Sequence, residues 1–162
     1  MHPEFLSGEA SASPAVEPLL DAARRLAQRG YGGGALAARN GPRVTTHAAA
    51  PFELLTAGDF VEVADYDPHL DRLMVLGSRA PHPHAGLHQL IFRAKKEIGC
   101  LVQVEAAPAN VPEAKRGRTT LENALALLEA LRGRDAARLG PHLFVTGRTP
   151  GEAMARAEAL LE

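Results

Sequence analysis

The chain has 162 residues, enough for one domain with a sizeable core and too few for two comfortable ones. It is 46% hydrophobic and 23% charged, with 18 Lys and Arg against 19 Asp and Glu, for a formal net charge of -1. That balance gives no electrostatic reason to expect a nucleic acid or a membrane surface as partner.

The first segment, MHPEFLSGEASASP, has no basic region followed by an apolar stretch, so it does not read as a secretory signal. Its Ser, Glu and Pro content predicts a disordered lead-in over residues 1–14, before a single domain over 15–162. In AVEPLLDAARRLAQRG, Leu19, Leu20, Ala23 and Leu26 share one helical face, and Gly30 is placed to end the helix. Three glycines then lead into two strands, 34–39 and 43–48, joined at a hairpin signal, Asn40-Gly41. FVEVAD alternates as a half-buried strand, Asp67-Pro68 marks a turn, and LMVLG is a further strand.

HAGLHQLIFRAKKEIG carries Leu87, Leu90, Ile91, Ala94 and Ile98 at amphipathic helical spacing and runs into the strand GCLVQVEA. APANVPEAKRGR reads as a solvated connection. Thr119 and Glu122 form a capping-box signature at the head of LENALALLEALRGR. PHLFVTG is the last strand, and Pro150 suits the first turn of a closing helix. About six strands and four helices result. No apolar run approaches the roughly 20 residues of a membrane span, and a cytoplasmic location is expected. Cys100, the single cysteine, excludes an intramolecular disulfide and reads as a small buried hydrophobe.

The candidate chemistry lies in histidines and one strand end. His82, His84 and His88 cluster in APHPHAGLH, and His84 and His88 share a helix face if the helix starts by residue 84. Two imidazoles four apart suit Zn²⁺, but no glutamate lies between them and Pro83 disfavours helix at His82, so an exposed loop is the alternative. Gln103 and Glu105 point to one face of their strand, either into a cleft or into solvent. Gly32, Gly33 and Gly34 form neither a dinucleotide fingerprint nor a P-loop.

The order of these pieces resembles the class II aldolase/adducin family, over residues 18–105 and 141–162. The segments that carry the resemblance are YGGGALAAR, PRVTTHAA, ELLTAGDFVEVA, GLHQLIFRAKKEIGCLVQVEAAP and LFVTGRTPGEAMARAEALLE. The resemblance implies an α/β, three-layer (α+β) fold, with a mainly antiparallel central sheet flanked by helices. It also implies a homo-oligomer and a small-molecule ligand.

The family's functional positions match less well. Its zinc-holding His-x-His pair falls on Gln103 and Glu105, its catalytic glutamate on His84 or its immediate neighbourhood, and its third zinc histidine at or one position from Pro141-His142. Of its phosphate-binding groups, Gly34 and Thr46 match, while an asparagine becomes Ala35 and a glycine-serine stretch becomes His47-Ala48-Ala49. Paired serines are replaced near His82-Pro83. Two expectations follow. One is a degenerate aldolase-like domain without sugar-phosphate aldolase activity, acting as a binding or oligomeric scaffold module. The other is a metal-dependent lyase, isomerase or epimerase that holds Zn²⁺ or another divalent metal on His84, Glu105 and His142.

Overall fold

Four stretches with helical spacing become α1 (Val16–Gln28), α2 (Ala85–Ala94), α3 (Thr120–Ala130) and α4 (Pro150–Leu160) in the computed structural model, which describes all residues from Met1 to Glu162. Eight strands lie between and around them: β1 (His2–Ser7), β2 (Gly34–Asn40), β3 (Arg43–His47), β4 (Phe60–Asp67), β5 (Arg72–Leu76), β6 (Cys100–Glu105), β7 (Ala136–Leu139) and β8 (His142–Gly147). They form one sheet in the order β1-β5-β4-β3-β2-β6-β8-β7. Every pairing is antiparallel except that of β1 with β5. This is the α/β layered architecture with a mainly antiparallel sheet.

Strand alternation assigns the two faces. Leu36, Ala38, Val102, Val104, Leu143 and Val145 face α1 and α4, where Leu19, Leu26 and Met154 cover them. Ala37, Leu101 and Phe144 face the other way, under Leu87 and Ile91 of α2 and Leu127 of α3. The polar residue Gln103 falls on this second face, beside Leu101 in the strand and opposite Phe144 in the β6–β8 register. No helix is long and apolar enough to cross a membrane.

Several boundaries depart from the sequence reading. Residues 2–7 of the expected disordered lead-in pair as the edge strand β1. Its parallel partner β5 offers a free edge, and the Met1 ammonium anchors it to Asp71 at 2.5 Å. β7 was not expected at all. The hairpin after β2 does form, but its two-residue loop is Gly41-Pro42, with Gly41 at φ 59. The same dipeptide, Gly140-Pro141, turns β7 into β8, with Gly140 at φ 58.

The helix expected to run to Ile98 ends at Ala94. Arg39 of β2 causes the stop. Its guanidinium donates to the carbonyls of Phe92 (2.8 Å), Lys95 (3.2 Å) and Ile98 (3.0 Å), taking the orphan acceptors that close a helix. The capping box at α3 is only half formed. Thr119 Oγ1 accepts from the Glu122 N–H at 3.1 Å, whereas the Glu122 carboxylate accepts from Arg118 N–H at 2.6 Å.

Candidate functional site

The ends of β6 and β8, the start of α2 and the start of α3 meet on the α2/α3 side of the sheet. The turn before α2 presents His82 and His84, and the first turn of α2 adds His88. The His84 ring lies 5.3 Å from that of His82, 6.5 Å from that of His88 and 5.0 Å from that of His142 on β8. The loop reading of His82 and His84 holds for the backbone, since α2 begins at Ala85. Both rings are nonetheless mostly buried.

Gln103 organises this group. Its side-chain carbonyl accepts from His88 Nε2 at 2.7 Å, and its amide NH₂ donates to His84 Nδ1 at 2.7 Å. These bonds fix both rings as neutral tautomers with the proton on Nε2. His82 is fixed in the same way, because its Nδ1 accepts the backbone N–H of His84 at 3.1 Å. Burial lowers the pKa of His84 and takes that of His88 well below the usual imidazole value. It takes that of His82 down to about 4, with the neighbouring histidines adding to the effect. His88 Nδ1 is buried with no hydrogen-bond partner.

His47, which composition does not single out, is wholly buried and structural. Its Nδ1–H donates to the Ala48 carbonyl at 2.8 Å, and its Nε2 accepts from Leu36 N–H at 3.0 Å. Thr46 Oγ1 donates to the Leu36 carbonyl at 2.9 Å. The two side chains therefore satisfy the Leu36 backbone where β2 and β3 diverge, beyond the last ladder pair Ala38–Thr45. That divergence opens a cleft of about 260 Å³ lined by Gly32, Gly33, Gly34, Ala49, Ala50, Pro51 and His82. Gly34 lies in this cleft and Thr46 does not line it.

Gly34 has φ 151 and presses on β6, so a Cβ there would stand 2.0 Å from the Gln103 carbonyl oxygen. Only glycine fits.

Of the residues in the expected metal set, His84 and His142 come together. Glu105 is the cross-strand neighbour of His142 in the β6–β8 register and is exposed. No group of three or more His, Cys, Asp or Glu side chains is arranged to hold a metal ion. Zinc, which the resemblance implies, does not fit the inner donor set. Gln103, at the position the resemblance gives to an imidazole, occupies one nitrogen each of His84 and His88.

A second cavity, of about 70 Å³, lies beside His84 and His142 and is lined also by Arg116, Thr120 and Asn123, with Pro83, Leu87 and Leu139. Arg116 belongs to the stretch read from sequence as a solvated connection. That stretch is an irregular and mostly exposed connection, yet it is tied down at two points. Ala114 N–H donates to the Arg138 carbonyl at 2.7 Å, and Gly117 N–H donates to Asn123 Oδ1 at 2.8 Å. Val111 and Ala114 are buried. The clustered basic residues of this stretch were the available signal.

No family model and no curated protein matches the sequence at a significant level. Solved structures do match. An aldolase II superfamily protein from Pseudomonas syringae is 19% identical, with 92% of this chain and 74% of that one covered at a TM-score of 0.72. The L-fuculose-1-phosphate aldolase of Thermus thermophilus is 17% identical, with 90% and 88% covered at 0.71. That of Glaciozyma antarctica is 20% identical, with 90% and 68% covered at 0.68. The chain therefore has the fold of the class II aldolases.

Proposed function

We propose that this chain is a class II aldolase-type domain that has exchanged sugar-phosphate aldolase chemistry for a binding and oligomeric scaffold role. The observation that carries this reading is the Gln103 amide held between His84 and His88. Glutamine is a poor zinc ligand, and here its two polar atoms are already committed inside the protein. With His84 at the position of the family's catalytic glutamate, the site also lacks a carboxylate that could move a proton. Self-association is supported by Phe5 and Leu6, exposed at 47% and 53% on the edge strand β1.

The alternative is a divalent metal on His84, Glu105 and His142, favoured by the close approach of the two imidazoles. One experiment decides between them. Metal analysis of the purified full chain, with thermal shift under Zn²⁺, Mn²⁺ and Fe²⁺, is expected to give no stoichiometric metal and an unmoved melting temperature. Cleavage of L-fuculose 1-phosphate is expected to be absent. One metal per chain that is lost in Glu105→Ala and in His142→Ala overturns the scaffold reading. Sedimentation velocity is expected to show an oligomer.

A further inference from the structure

We infer that the cavity between α2, α3 and the 113–118 loop is an oxyanion subsite, built to take the phosphate or carboxylate group of a small molecule. This rests on the metal-free reading above and gives that site a ligand class.

Its one permanent charge is the Arg116 guanidinium. Arg138 on the adjoining strand is paired with Glu113 at 3.2 Å, but Arg116 has no carboxylate partner. A guanidinium presents planar paired donors that match a carboxylate or phosphate edge. The loop around it is held in advance. The backbone N–H groups of Ala114, Gly117 and Arg118 are all bonded, to the Arg138 carbonyl, Asn123 Oδ1 and the Glu122 carboxylate respectively. Ordering that loop therefore costs little on binding.

Two of the other polar groups, Asn123 and His84, also present donors. Asn123 spends its side-chain carbonyl on Gly117, which leaves its NH₂ free. Gln103 occupies His84 Nδ1, so the proton of that ring sits on Nε2. Thr120 is the first residue of α3, whose partial positive end suits an anion. A cation placed here would face Arg116, whose charge already helps to lower the His84 pKa. The volume of about 70 Å³ is roughly two waters' share of liquid and suits one oxyanion group, with the rest of its molecule outside.

The test uses the full chain, stripped with a chelator, at constant ionic strength in chloride. Histidine ring nitrogens are followed by NMR while inorganic phosphate or glycolate is added. Saturable shifts at His84 and His142 are expected with at least one of the two, and the tighter one identifies the headgroup. Arg116→Gln, an exposed position, is expected to weaken that binding at least tenfold while leaving the melting temperature within about 2 °C. No saturable shift with either probe overturns the inference, as does equal binding by Arg116→Gln. If binding appears only after one equivalent of Zn²⁺ is restored, both this inference and the metal-free reading fall. A metal-free chain that ignores both anions removes the inference alone.

Discussion

Acid should unfold this protein earlier than its carboxylates alone would dictate, because the sheet end holds a group of histidines in the neutral form. Burial lowers the pKa of His47, His82, His84 and His88. The unfolded chain therefore takes up these protons first, near the ordinary value of 6.5, and each proton it binds favours unfolding. The stabilisation is complete above about pH 6.5 and is lost as pH falls toward the folded-state values. For His82, held at about 4, the loss between pH 7 and pH 5 comes to about 2 kcal/mol, with the other three adding in the same direction. For a chain of this length that is a fall of about 4–8 °C or more in melting temperature. Urea unfolding followed by circular dichroism at half-unit steps from pH 7.5 to 5 measures it. His82→Asn keeps an acceptor for the His84 N–H and should remove about 2 kcal/mol of the dependence. A midpoint that stays level from pH 7 to 5, or a His82→Asn slope equal to that of the parent, refutes the reasoning.

Gly34→Ala must move the Gln103 carbonyl or the strand that bears it, and adopts a positive φ as well; a loss of roughly 3 kcal/mol or more is expected in urea unfolding. Gln103→Leu strips the buried His88 Nε2 of its partner and should cost about 2–4 kcal/mol, while Gln103→Leu with His88→Leu recovers most of that loss. Thr149→Ala removes the oxygen that accepts from Glu152 N–H at the head of α4 and should cost about 1 kcal/mol, or about 2–4 °C. Cys100, buried and with its pKa pushed up to about 12, should resist thiol reagents in the native protein and react at once in denaturant.

The elements with strong periodicity were legible in the sequence because one stripe or one face decides them. Leu19, Leu20 and Leu26 can be buried together only as a helix, and Pro150 marks the start of α4. The two missed strands lack such a signature. β1 leaves all but its last residue exposed, and its place depends on a backbone edge that β5 supplies from 70 residues away. β7 has only four residues, one of them Arg138. A signal did exist, since Gly140-Pro141 repeats the Gly41-Pro42 dipeptide that turns β2 into β3. The C-terminus of α2 was illegible for a different reason. Arg39, some fifty residues earlier, supplies the donors that end it.

The site was half legible, and the missing half is relational. Aligning Gln103 and Glu105 with a His-x-His pair pointed to this strand end, but a residue's role there depends on what faces it. Gln103 lies on the face occupied by Leu101 and Phe144, where an amide is tolerated only if both of its polar atoms are bonded. His84 and His88 meet that demand with one nitrogen each, at 2.7 Å. A histidine placed at position 103 would therefore not by itself make a metal site. A ring there has one donor and one acceptor at fixed angles, and it would compete with the two imidazoles that the glutamine now joins. The histidine and glutamine identities are coupled, so a zinc site at this strand end needs several of them changed together, along with Arg116, whose charge opposes a cation beside His84.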